Sequence, residues 1–121
     1  MIKEKFNLSA NEIKTAELIA KSLTKNCIGK EQAIHRDALL EKLASAKKPI
    51  VIDRWQLSEM IQYIRVNNLC GPVIEISQSY YISFDEVELS NYIIILEQRS
   101  NEIMRMKFAI EQQLNNIKQI Q

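Results

Sequence analysis

Val73-Ile74-Glu75-Ile76-Ser77-Gln78-Ser79-Tyr80-Tyr81-Ile82 is the stretch that decides the fold. Two runs of β-branched and aromatic residues flank a short polar tip, Ser77-Gln78-Ser79, and this is the pattern of a β-hairpin. Immediately before it, Asn68 and Gly71 stop a helix and Pro72 keeps it from resuming. That helix is expected over residues 54–67, with Asp53 as its N-cap. Leu57, Ile61 and Ile64, with Met60 beside them, fall on one stripe and are predicted to be core. Trp55, Ser58, Glu59, Gln62 and Val66 point the other way, while Arg54 and Arg65 flank the stripe.

Further upstream, Lys47-Lys48-Pro49 breaks a preceding helix, and Ile50-Val51-Ile52 is a brief extended apolar run. The preceding helix is expected over residues 36–45, with Leu39, Leu40 and Leu43 on one side. His35, the single histidine, stands at its start and reads as a cap or surface residue, since no nucleophile or acid partner is evident. Ala33-Ile34 just before it suits a very short strand. At the front, Ser9-Ala10-Asn11-Glu12 is a capping box, and Leu8 and Ile13 stand where a hydrophobic staple closes. Ile13, Ala16, Ile19, Ala20 and Leu23 then recur at helical spacing, predicting a first helix over residues 10–25. The order is helix, helix, helix, hairpin. That is the order of a winged helix-turn-helix domain, expected over residues 1–84, in a chain that is mainly α with a small β-hairpin.

Downstream, residues 85–121 read as a single long C-terminal helix, spanning about residues 86–118. Either Ser83 with Glu86 or Asp85 with Glu88 supplies its capping box. Leu89, Leu96, Ile103, Ile110 and Ile117 are spaced seven apart without a break. The second column is poorer: Ile93, Ser100, Lys107 and Leu114 when read four residues on, or Tyr92, Arg99, Met106 and Gln113 when read three on. A long, regular two-stranded coil is therefore not expected. Ile93, Ile94 and Ile95 cover most of the circumference and are expected to be buried on several sides. With no Pro/Gly/Ser linker before it, the helix is expected to join the hairpin rigidly.

Composition bounds the function. Hydrophobic residues make up 46% and charged residues 26% of 121, the mixture of a globular chain rather than a disordered one. No apolar run approaches the ~18 residues of a membrane span, and the charged start Met1-Ile2-Lys3-Glu4-Lys5 lacks the apolar core of a secretory signal. Cys27 and Cys70 have no metal-ligand spacing and make a poor disulfide framework, so reduced thiols and a cytoplasmic setting are expected. Residues 1–70 carry twelve Lys/Arg against eight Asp/Glu, a balance of +4, and residues 71–121 carry four against seven, a balance of −3; the two give the net +1. A modestly basic front is compatible with nucleic-acid contact but does not establish it. Gly-rich phosphate loops, zinc-ligand spacings and nucleophile–base pairs are not found in the sequence. No catalytic residue, metal or cofactor is expected, and the chain is not expected to be an enzyme.

Residues 9–117 resemble a family of small winged-helix proteins of bacteriophages and related mobile elements. The likeness rests on the order and spacing of several runs. Ala33-Ile34-His35-Arg36-Asp37 opens the second helix, and Asp53-Arg54 is followed by Leu57, Ile61, Ile64 and Arg65. Gly71-Pro72-Val73-Ile74 leads into the wing and Tyr80-Tyr81-Ile82-Ser83 closes it. Asp85-Glu86-Val87-Glu88-Leu89 through Tyr92-Ile93, Leu96 and Arg99 begins the last helix. The resemblance implies DNA binding in phage transcription or replication control, in a bacterial or phage-infected cell. Similar sequences join the second and third helices more tightly, whereas this chain inserts residues 46–52.

If the domain binds DNA, its third helix enters the major groove while the wing and the start of the second helix touch phosphates. Arg54 and Arg65 then present forked guanidinium groups to phosphate or a guanine edge. Ser58 and Gln62 face outward for base contacts, Gln62 suiting an adenine edge. Lys30, Arg36, Lys47 and Lys48 supply backbone attraction, and Gln78 reaches out from the wing tip. Any one of these lysines is equally an ordinary solvated charge. Glu59 opposes phosphate, and Trp55 is of the type that anchors protein interfaces. Two readings follow: a double-stranded-DNA-binding regulator, or an inhibitor or adaptor that uses Trp55 and the tail helix to hold a protein. Leu96, Ile103, Met106, Ile110, Leu114 and Ile117 form the apolar column of the tail helix. They serve either intramolecular packing or a homodimer, which would set two recognition helices on a symmetric site.

Overall fold

A computed structural model describes residues 7–120; the charged start at Met1 to Lys5 lies outside the described residues. The chain divides into two compact units, Met1–Asp85 and Glu86–Gln121.

In the first unit, helix α1 (Ala10–Asn26) begins at the expected capping box. The Glu12 amide donates to Ser9 Oγ at 3.2 Å and the Ser9 amide donates to the Glu12 carboxylate at 3.1 Å. Its buried face carries Ala16, Ile19, Ala20 and Leu23. A 3₁₀ turn (Lys30–Gln32) follows, then strand β1 (Ile34–His35), helix α2 (Arg36–Ala44) and helix α3 (Arg54–Val66). Strands β2 (Val73–Ile76) and β3 (Ser79–Ile82) form the hairpin. The stripe expected on α3 is the centre of the core. Leu57, Met60, Ile61 and Ile64 are buried together with Leu23, Leu39, Val73, Tyr80 and Ile82. Leu40, Leu43 and Ile52 pack on that cluster half-buried, whereas Val51 is 84% exposed, so Ile50-Val51-Ile52 is extended without joining a sheet.

The sheet is three-stranded and antiparallel in the order β1-β3-β2: the very short strand expected at Ala33-Ile34 is present one residue on, as β1, and its pairing adds a third strand to the hairpin. Ile34 pairs with Tyr80 and His35 with Ser79, and Val73 to Ile76 run against Ile82 to Ser79. The extra strand forms because the loop after α1 is sewn to β3. The Ile82 amide donates to the Cys27 carbonyl and the Gly29 amide to the Ile82 carbonyl, both at 2.8 Å. Period-two alternation sends Val73, Tyr80 and Ile82 to the helical core and Ile74 and Tyr81 to the opposite face, where both are also buried. The tip is tighter than the three residues expected. Ser77 and Gln78 alone make the turn, at φ 51° and 66°. Two consecutive positive φ values define the type I′ turn that suits hairpin twist.

Before the hairpin, Gly71 adopts φ +95° with Phe84 packed over it, so that a Cβ there would sit 3.2 Å from Phe84 Cε1. The positive φ is what favours glycine at this position. Cys27 is buried and Cys70 half-buried, and burial pushes both thiols above their ordinary range, away from the reactive thiolate.

The second unit is helix α4 (Glu86–Ile120), 35 residues and about 52 Å long. Tyr92 is its one buried residue among those described. From Ile93 to Ile120 every residue is exposed. This corrects one expectation: Ile93, Ile94 and Ile95 were expected to be buried on several sides, yet they are 55%, 51% and 37% exposed. An apolar residue on each face of one helix cannot be covered unless other elements surround that helix. No helix among the described residues is long and apolar enough to cross a membrane.

Candidate nucleic-acid interface

Three hydrogen-bonded features fix the starts of α2 and α3 and the hairpin turn beside them. Asp53 caps the helix as expected, and Gln56 completes a second capping box that the sequence reading did not identify. The Gln56 amide donates to Asp53 Oδ1 at 2.8 Å, and the Asp53 amide donates to Gln56 Oε1 at 2.9 Å. His35 caps α2 through Nδ1, which accepts the Asp37 amide at 3.1 Å. Finally, the Arg36 amide donates to the Gln78 carbonyl at 2.9 Å, tying the hairpin turn to the first residue of α2.

These constraints gather Arg36, Arg54 and Gln78 at one corner of the unit, around Asp37. Arg54 Nε and Nη2 donate to the two carboxylate oxygens of Asp37, each at 3.0 Å, a bidentate fork. Arg36 Nε lies 3.7 Å from Asp37 Oδ1. The bond from Arg54, with the charges of Arg54, His35 and Arg36 behind it, holds the Asp37 carboxyl below the usual carboxylate range. Asp37 was missed as a member of this site. Its partner is 17 residues away, outside the three- and four-residue spacings by which a helix pairs charges. Arg54 is therefore not a free cation but half of an exposed ion pair.

The other expected contacts divide by location. Ser58 and Gln62 are exposed on the outer face of α3, with Trp55 72% exposed one turn before them. Glu59 is half-buried rather than fully outward and lines a shallow depression of ≈ 290 Å³ with Asn7, Leu8, Glu12, Trp55 and Gln56. Arg65, at the far end of α3, donates from Nε to the Val73 carbonyl at 3.0 Å and so fastens the helix to β2. Lys30 is exposed in the 3₁₀ turn.

Lys47 and Lys48, exposed in the loop between α2 and α3, join Lys42 around an apolar groove of ≈ 350 Å³ floored by Leu18, Ile19, Leu39 and Leu43. Lys42 was also missed; its Nζ donates to Ser22 Oγ at 3.1 Å. No group of three or more His, Cys, Asp or Glu side chains that could hold a metal occurs among the described residues. The arrangement can present hydrogen-bonding side chains and positive charge to a ligand. In comparisons with known proteins, no family model, curated protein or solved structure matches this chain.

Proposed function

We propose that the first unit is a winged helix that binds double-stranded DNA in transcriptional or replication control, without enzymatic activity, and that α4 makes the protein a homodimer. One observation carries the reading: three helices precede a hairpin whose turn is tied to the start of α2, in a sheet ordered β1-β3-β2. In such a unit α3 is the reading helix and the hairpin the wing. Ser58 and Gln62 then meet base edges, while Lys47, Lys48, Lys30 and the Arg36–Arg54 corner meet phosphates. The likeness to phage winged-helix proteins supports the same assignment. The exposed apolar column from Leu96 to Ile117 supports the dimer, since a monomer leaves it in water.

The test is the salt dependence of binding to a 30-base-pair duplex. Each phosphate contact contributes about 0.9 to the slope of log affinity against log salt. Replacing Lys47 and Lys48 by alanine should lower that slope by about 1.8 and weaken binding at every sequence. Affinity unchanged by both salt and that double substitution would sink the DNA reading.

The depression at Trp55 favours a second reading, a protein adaptor or inhibitor. An exposed indole beside Leu8, Glu12 and Glu59 suits a basic side chain of a protein, held by ring face and carboxylate together, and it repels phosphate. Under that reading Trp55→Ala abolishes capture of the partner, and duplex DNA binds negligibly with or without the substitution.

A further inference from the structure

Helix α4 carries a pattern that specifies the direction of its partner. We infer that α4 pairs with α4 of a second copy in antiparallel orientation, a proposal that rests on the dimer reading above and sets its geometry. A two-fold axis across such a pair makes every contact reciprocal: if one residue touches a second, the second touches the first. Three columns on the helix satisfy that condition in one register.

The first column, Leu89, Leu96, Ile103, Ile110 and Ile117, is wholly aliphatic. The second, Tyr92, Arg99, Met106, Gln113 and Ile120, contains a charge and an amide. Run parallel and in register, the second column sets Arg99 on its own copy and Gln113 on its own copy. Run antiparallel, each residue of the second column meets one of the first. Ile103 faces Met106 of the second copy, Ile110 faces Arg99 and Leu96 faces Gln113, all of them exposed positions. Every polar seam residue then has an aliphatic neighbour and a free end to extend to water.

The third column decides between the directions. Ile93, Ser100, Lys107 and Leu114 read apolar, polar, polar, apolar, and so they match themselves when reversed. In the same antiparallel register Ile93 flanks Leu114 of the second copy and Ser100 flanks Lys107. Ile93 is 55% exposed and Leu114 48%, so both are available. In the parallel register Ile93 lies beside Glu88 of its neighbour instead. The parallel arrangement does offer a pair between Glu102 and Lys107, but Lys107 already stands 3.6 Å from Glu111 in its own helix. The broken second column that speaks against a long regular coil is thus what an antiparallel pair accommodates. From Ile93 to Leu114 the exposed seam is about 33 Å long and about 10 Å wide, so two copies bury about 700 Å², the size of a weak, reversible association.

Single cysteines test it on the full chain. Leu96 and Gln113 are exposed, so Leu96→Cys and Gln113→Cys leave the core intact. Sedimentation at tens of micromolar should give a dimer for both. Mild oxidation of the two variants mixed should give a disulfide between them, above the background set by Cys27 and Cys70 in the unsubstituted chain. Leu96→Cys alone should not link to itself, because its two copies lie about 26 Å apart, well beyond the ~7 Å a disulfide spans. A dimer in which Leu96→Cys links to itself overturns the orientation and leaves the dimer reading standing. A dimer giving neither link overturns the register. A monomer overturns both, and none of these outcomes bears on DNA binding by the first unit.

Discussion

Helices α3 and α4 have similar apolar content but differ in what their own chain does with it. On α3 Leu57, Met60, Ile61 and Ile64 form one stripe, and all four are buried to 1% exposure or less. On α4 the apolar residues are more numerous and lie on several faces, yet Ile103 and Ile110 remain 60% and 63% exposed. A helix that spends its stripe inside the unit owes its stability to that unit. One that leaves its stripe in water, as α4 does, offers apolar area of an extent that is seldom left bare, which is the ground of the proposed dimer. Truncating each helix should therefore be read out by different measurements.

The largest effect belongs to α3. Ile61→Ala removes side-chain atoms from a site with no solvent access, and the cost should be about 2–5 kcal/mol, measured by urea unfolding. That is a large share of the stability of a domain this small. Ile110→Ala on α4 should leave the unfolding of the first unit unchanged within about 0.5 kcal/mol. It should instead weaken dimerisation on the order of tenfold or more, as seen by sedimentation. If Ile110→Ala lowered the stability of the first unit as much as Ile61→Ala, the distinction between a consumed stripe and an offered one would be gone.

A smaller effect sharpens the contrast within the hairpin. Ser77 and Gln78 hold positive φ without the Asn-Gly pair that such turns favour. Gln78→Gly should relieve that strain and stabilise the unit by up to about 1 kcal/mol, read as a higher Tm. The turn keeps its geometry because the contact to Arg36 uses the Gln78 backbone carbonyl and not its side chain. A wing that touches DNA through Gln78 should then bind more weakly while folding better. If the glycine variant is more stable and binds DNA unchanged, the wing tip is not part of the interface.

How much of this was legible in the sequence follows from the range of each interaction. The capping box at Ser9, the N-cap at Asp53, the stripe on α3 and the hairpin over residues 73–82 depend on neighbours within a few positions, and they stand as read except that Ser79 belongs to the strand and not to the tip. The pairing of β1 with β3 joins Ile34 to Tyr80, a register that nothing local to either residue encodes. The fork between Arg54 and Asp37 is of the same kind, which is why Arg54 reads as a free phosphate contact until its partner is known. Arg65 reads the same way, although its Nε is directed to the Val73 carbonyl. On α4 the columns are legible, but three isoleucines in a row look like a buried segment because sequence does not say what stands beside a helix.

The smallest effect tests the Arg54–Asp37 corner, where stability and binding should move in opposite directions. The folded-state carboxyl of Asp37 is depressed by Arg54, so the pair favours the folded state at neutral pH. That contribution is lost as pH falls through the depressed value, below the ordinary carboxylate range. Asp37→Asn should therefore lower the Tm slightly at neutral pH, and the difference should shrink to nothing in strong acid. The pair is exposed on both sides and screened, which keeps the change small and salt-sensitive. For DNA the same substitution removes a negative charge and releases a guanidinium fork at the edge of α3. Affinity for duplex should rise severalfold at low salt, and by more than removal of an exposed carboxylate away from this corner, such as Glu41→Gln, produces. Under the protein reading, in which the contact lies at Trp55, the Tm still falls and DNA affinity stays negligible. A variant that is slightly less stable and binds DNA more tightly would place the interface at the start of α3; one that is merely less stable would leave Trp55 as the better guide.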